Sequence, residues 1–325
     1  MNKILLILII SAFLIACQHK ASSSFELSTE AKSYLAPDSI LYKYPQKVAE
    51  NVYSAIGATA APTYENSGHN NNLSFIITPE GVVVINAGAS YLLAQALHNE
   101  IKKLTDQVVE FVILENAQGH AMLGSNYWQQ QGAKIVSQKD GAAVMKRFAK
   151  SSVERMKARQ KEKGLFTEPT TADIIFDAKY EINLGGTIIQ ALHLGPAHSP
   201  GDIVVWLPQQ KVVIAGDMAF HQRLLPVTDH TDTAAWIDTW NNEFETLGAE
   251  IVVPGHGTPT NMVEVRKYTR DYLLYVRAEV TRIIAEDGDL QQAYEMDLSA
   301  YEHLHTFSDL AKQNIGRIFR AMEFE

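Results

Sequence analysis

Glu115–Asn126 reads ENAQGHAMLGSN. It follows VVEFVIL (108–114) and precedes a run with helical periodicity. An apolar run that short reads as a strand buried on both faces, and the polar segment after it as a loop on a rigid scaffold. Asn116, Gln118 and His120 alternate along that loop, with Ala121 next. Three polar groups at i, i+2 and i+4 at the end of a buried strand form a candidate site.

The same style extends outward in both directions. Upstream, NLSFIIT (72–78) and GVVVINAG (81–88) are β-rich runs split by the turn signal PEG (79–81). Helices are predicted over 91–104 and 122–131, and a strand over AKIVSQ (133–138). Residues 139–163 read as one long helix with nine Lys or Arg against three Asp or Glu. Its apolar stripe, Met145, Phe148, Ser152 and Met156, makes it an amphipathic solvated helix, placed to act as a lid over a cleft. Downstream, YEINLGGTIIQALHL (180–194) and DIVVWLPQQKVVIAGD (202–217) are strand pairs. A helix over 233–247, the strand EIVVPGHG (250–257), a long helix over 266–286 and a helical tail over 307–325 complete the pattern. Two halves of hairpins, helix and strand predict an α/β chain with two sheets face to face and helices outside.

Three strand ends in the second half each hold a potential ligand: His198 in LGPAHSPGD, Asp217 in VVIAGDM and His256 in IVVPGHG. Two imidazoles and a carboxylate suit zinc or iron.

These stretches, in this order, together with the hairpin NNNLSFIITPEGVVVINAG (70–88), resemble the metallo-β-lactamase superfamily from about residue 48 to about residue 259. The resemblance implies an αββα sandwich with its site at the edge between the sheets. The family motif His-x-His-x-Asp-His falls here on Asn116, Gln118, His120 and Ala121, and the Asp after the hairpin is replaced by Asn86. Two ligands of one metal are thus amides, and an amide oxygen is a weaker zinc ligand than an imidazole. His120, Asp217 and His256 are left as an open three-ligand set for about one zinc per chain, able to activate water. His198 is a fourth ligand or a proton carrier, and Asp217 and His198 are the catalytic candidates. The implied activity is hydrolysis of an ester, lactone or amide in a small molecule. Two other readings remain open: a non-catalytic binding or scaffold lipoprotein with a degenerate metal site, and a mononuclear iron oxidoreductase.

Of the other polar residues, His69 reads as surface loop, His221 as an outer neighbour of Asp217, and Ser199 as a turn cap. His193, His230, His303 and His305 read as ordinary.

The N-terminus predicts export. Lys3 precedes the apolar run 4–16, too short to span a membrane and suited to a signal peptide. It ends in LIAC, which resembles the lipobox of bacterial lipoproteins and makes Cys17, the single cysteine, the lipidation site. Gln18 after it favours the outer membrane, facing the periplasm. The expected organisation is signal peptide 1–16, tether 17–44 ordering near Tyr42, metallo-β-lactamase-like domain 45–262 and helical extension 263–325. A net charge of −9 argues against a nucleic-acid partner.

Overall fold

The inner strands of this fold are largely apolar on both faces because each sheet is covered on both sides. The computed structural model describes residues 39–325. The expected signal peptide, Cys17 and most of the tether lie outside the described residues.

β1 (Pro45–Ala49), β2 (Val52–Ala55), β3 (Leu73–Thr78), β4 (Gly81–Ile85), β5 (Val109–Ile113), β6 (Lys134–Gln138) and β7 (Ile174–Phe176) form one sheet in sequence order. Pairing is antiparallel from β1 to β4 and parallel from β4 to β7. β8 (Lys179–Leu184), β9 (Thr187–Leu192), β10 (Val204–Leu207), β11 (Val212–Phe220) and β12 (Ile251–His256) form the second, ordered β12-β11-β10-β9-β8. Only β11 and β12 pair in parallel there.

Side chains alternate across each strand and so divide the interior into three apolar layers. On β4, Val83 and Ile85 face the other sheet, where Ile189, Val205 and Ile214 meet them. Val82 and Val84 face outward, onto α1 (Tyr91–Ile101) and α3 (Ser125–Gln130), which follows the single turn α2 (Gly119–Met122). α4 (Lys139–Gln160) lies on the same side. On β11, Val213 and Ala215 face a second outer layer. It contains α5 (Thr233–Thr239), α6 (Met262–Tyr268), α7 (Arg270–Ala285), α8 (Leu290–Ala293) and α9 (Phe307–Met322). The architecture is an αββα sandwich, as expected.

The C-terminal helices belong to that outer layer. Tyr272, Val276, Ile315 and Phe319 share one core with Trp236 and Trp240. Buried Asn314 accepts from Val227 N–H at 2.8 Å and donates to Leu225 C=O at 2.7 Å, which fastens α9 to the loop after β11.

Several elements depart from the sequence reading for local reasons. The helix expected over 122–131 breaks at Gly124, whose N–H donates to Gly88 C=O at 2.8 Å. A Cβ at Gly124 would collide with the Ala87 carbonyl, so only glycine allows the loop after β4 to pack there. The helix expected over 266–286 breaks at Thr269, whose hydroxyl accepts from Phe220 N–H at 2.9 Å. On α4 the buried stripe is Met145, Ala149, Val153, Met156 and Gln160, while Phe148 is exposed. β1 and β7, short and half-polar, were not legible in the pattern. Among the described residues no helix is long and apolar enough to cross a membrane.

His69 is fully buried, not on a surface loop. Its Nδ1 accepts from Tyr42 N–H at 2.8 Å, and its Nε2 faces Ala55 C=O at 3.2 Å. The ring therefore locks the chain entering β1 onto the end of β2. Burial pushes its pKa down from 6.5 to about 4. The unfolded chain binds this proton below about pH 6.5 and the folded chain only below about 4. Stability present above pH 6.5 is thus lost as pH falls through that window, on the order of 3 kcal/mol at its lower end. Thermal unfolding between pH 7.5 and 4.5 should show a falling midpoint, with a shallower fall in His69→Gln. An equal slope in the two proteins would remove His69 as its source.

Candidate metal centre

The candidate residues converge where parallel strands end. β5 leads into the Glu115–His120 loop, β11 carries Asp217, and β12 ends on His256. The hairpin side is tied to β12 by Asn72, whose Nδ2 donates to Pro254 C=O and Gly257 C=O, both at 2.7 Å. Asn86, in a left-handed conformation at φ 67°, accepts from Glu115 N–H at 3.1 Å through its Oδ1. In this chain that residue holds the backbone of the site loop.

His120, Asp217 and His256 each place one ligand atom within 4.8 Å of the others. His120 Nε2 lies 3.6 Å from Asp217 Oδ2, and His256 Nε2 lies 3.3 Å from Asp217 Oδ1. The longer side chain at position 120 still points into the centre. His256 Nδ1 contacts the Asn70 carbonyl, so it carries the proton and Nε2 presents its lone pair toward Asp217. His120 Nε2 and Asp217 Oδ1 are buried with no hydrogen-bond partner. Buried polar atoms are nearly always satisfied, and two orphans facing one point fit a cation between them.

Sequence reasoning missed Glu115. Its carboxylate is buried, with Oε1 unpartnered and 3.3 Å from His120 Nε2. Gly216, at φ 54°, makes room for it, since a Cβ there would strike Glu115 Oε2. The signal was a carboxylate just past the buried apolar end of β5, after Val112, Ile113 and Leu114.

The electrostatics match a centre built for positive charge. Burial and then the neighbouring Asp217 charge push Glu115 well above the usual carboxylate range. Burial also opposes ionisation of Asp217. When protonated, the adjoining His256 imidazole and the fields of His120 and His198 outweigh it and hold that carboxyl well below its ordinary range. Burial lowers His120, and it lowers His256 to about 4 with Arg223 adding to the effect, so both imidazoles are neutral and able to ligate at pH 7.

The amides of the altered motif face the centre as hydrogen-bonding neighbours of Asp217 and His198. Asn116 Nδ2 donates to Asp217 Oδ2 at 3.2 Å, and its Oδ1 accepts from Gln118 N–H at 2.9 Å. Gln118 Nε2 stands 3.4 Å from His198 Nδ1. Ala121 is wholly buried. His198, also buried, is outside the three-atom set. Its Nδ1 lies 3.6 Å from Asp217 Oδ2 and 3.9 Å from Asp202 Oδ2. Burial pushes Asp202 up to about 7. Ser199 caps the turn as expected, its hydroxyl donating to Asp202 Oδ1 at 2.9 Å.

His221 does not face the centre. Its Nδ1 lies 2.8 Å from Thr258 C=O, and its ring stacks on Tyr268 in a separate cavity also lined by His303 and His305. His193 Nδ1 lies 2.9 Å from Asp202 C=O.

Above the centre opens a cavity of about 280 Å³, lined by His120, Asp217 and His256 below and by Ser152, Arg155 and Arg159 of α4 above. The basic helix therefore covers the cleft. Its end is pinned by Gln160 Nε2, which donates to Thr63 C=O at 2.9 Å.

Residues 120–256 match the family described as the metallo-beta-lactamase superfamily. A type 2 metallo-beta-lactamase of Bacillus sp. (strain 170) is 24% identical over 185 residues, covering 55% of this chain and 64% of that protein. The chain spans less than two thirds of the length of the curated relatives it matches. Among solved structures, a metallo-beta-lactamase from Pontibacter korlensis superposes with a TM-score of 0.58 at 21% identity, covering 71% of this chain and 98% of that one. A double mutant of the sec-alkyl sulfatase PisA1 superposes with a TM-score of 0.65 at 14% identity, covering 86% of this chain and 50% of that one. At these identities the structural likeness shows the fold.

Proposed function

The chain belongs to the metallo-β-lactamase superfamily, and from that premise we propose that it is a hydrolase working with one metal ion, zinc by its donor set, held by His120, Asp217 and His256. The observation that carries this reading is the convergence of those three donors, two of them buried and unpartnered, on the floor of an open cavity. Two imidazoles and one carboxylate fit a catalytic zinc, which keeps a position open and supplies Lewis acidity and water activation.

The chain's own groups prepare that position. The Asn70 carbonyl fixes the His256 tautomer. The Asn116 amide holds Asp217 Oδ2, so the carboxylate keeps one orientation. Glu115 Oε1 is a further donor beside His120. His198, with Nδ1 close to both Asp217 and Asp202, is placed to take up a proton released in the cavity. The substrate is an ester, lactone or amide. Sulfate esters join that set because one structural relative is an alkyl sulfatase.

Elemental analysis of the purified protein, followed by a screen of ester, lactone, lactam and sulfate-ester substrates, tests this. About one zinc per chain and metal-dependent turnover are expected. Iron in place of zinc would point to oxidoreductase chemistry. No metal and no turnover would leave a binding protein.

A further inference from the structure

We propose that the cavity above the metal centre is an anion site, and that the molecule it takes carries a sulfate, phosphate or carboxylate group held by Arg155, Arg159 and Arg223. This rests on the hydrolase reading only in placing the anionic group beside the reacting bond.

Three arginines line the cavity against a single carboxylate, Asp217, which its imidazole neighbours and Asn116 already engage. Arg223 is the decisive one. It is only 9% exposed, and its Nε is buried without a partner. Its Nη1 has a long contact of 3.4 Å to Ala60 C=O and lies 3.1 Å from His256 Nδ1. That nitrogen carries the proton directed at Asn70, so it offers the guanidinium no lone pair. Arg223 forms no ion pair among the described residues, and the Asp217 field offsets only part of the cost of burying its charge, so an anion in the cavity would offset more of it.

Arg155 and Arg159 stand one turn apart on the face of α4 that roofs the cavity. Both are exposed. Among the described residues neither forms an ion pair. Arg155 Nη2 donates only to Ser152 Oγ, at 2.9 Å. Three other cations of the same run are occupied: Lys139 pairs with Asp177, and Lys161 and Lys163 lie over the Tyr64 ring. A guanidinium presents a planar fork that matches an oxyanion in two-point contact. A charge run on a helix is ordinarily a solvated face. Here it stands opposite a third arginine that is nearly buried. In a chain of net charge −9, this is a local field of the opposite sign, suited to drawing an anion into one cleft.

The test measures binding of 4-nitrophenyl sulfate, 4-nitrophenyl phosphate and neutral 4-nitroanisole to the full chain, with zinc content determined on the same samples. At least one of the two anions should bind about tenfold or more tighter than the neutral probe, the scale of one charge-assisted contact. Arg155→Gln/Arg159→Gln should weaken the anion about tenfold, leave 4-nitroanisole unchanged and keep the zinc content. Both positions are exposed, so this variant is expected to fold. Arg223→Gln should weaken the anion at least as much, and Arg223→Lys less. Equal affinity for neutral and anionic probes, or anion binding untouched in the double variant and in Arg223→Gln, would overturn the proposal. An anion preference in a parent that holds no metal would sink the hydrolase reading and leave the anion site standing.

Discussion

Asp217→Ala should empty the metal centre, with zinc affinity falling by at least about 100-fold, the upper end of what loss of an outer partner alone costs. The reason is geometric. Asp217 is the hub of the site: His256 Nε2 faces its Oδ1 at 3.3 Å, and His120 Nε2, His198 Nδ1 and Asn116 Nδ2 face its Oδ2 at 3.6, 3.6 and 3.2 Å. Removing it leaves two imidazoles with nothing between them. The metal-free fold should survive, because the three apolar layers that hold the sheets and helices together do not include Asp217. Zinc titration against a competing chelator, with thermal unfolding of the same samples, reads both effects. Asp217→Asn, closer in shape, controls for packing around Gly255, where an added Cβ would collide with Asp217 Oδ1 and the Gly216 backbone. One tightly held zinc remaining in a folded Asp217→Ala protein would refute the assignment.

Asn116→His/Gln118→His should raise zinc content from about one to about two per chain. Asn116 already reaches Asp217 Oδ2, and Gln118 already reaches His198. Imidazoles at 116 and 118 would join His198 and share that oxygen, giving three nitrogens and a carboxylate. His120 stays, because it points into the existing centre. Ala121 also stays, because it is wholly buried, and overpacking such a site costs typically about 1–3 kcal/mol. The structure thus reduces a four-residue restoration of the family motif to two changes. Metal stoichiometry by elemental analysis decides the matter. A folded double variant that binds no more zinc than its parent would mean that the loop has moved too far for a second centre.

The fold was legible because its signals are local. β3, β4, β5, β6, β10, β11 and β12 are short, largely apolar runs, and their length, β-branched residues and flanking turn residues read as strand. Helix breaks at Gly124 and Thr269 were not legible. In both cases the cause is a contact to a residue distant in sequence: Gly88 for the first, Phe220 for the second. His69 was misread for the same reason, since SGHNNN looks like a surface loop until Tyr42 and Ala55 close over it.

The site divides in the same way. Sequence alone singled out the strand ends that carry the candidate ligands, and set Asn116, Gln118, His120 and Ala121 at the places of the first metal motif. Residue type and position after a strand suffice for that. Tertiary structure decided that His120 reaches Asp217, that Asn116 orients the carboxylate, and that Glu115 is turned inward beside Gly216. It also decided that α4 brings Arg155 and Arg159 over a buried Arg223. Each of these depends on the placement of segments roughly 60 to 100 residues apart in the chain. Only the packing of two sheets and their covering helices sets that placement, and no pattern within a single stretch of chain encodes it.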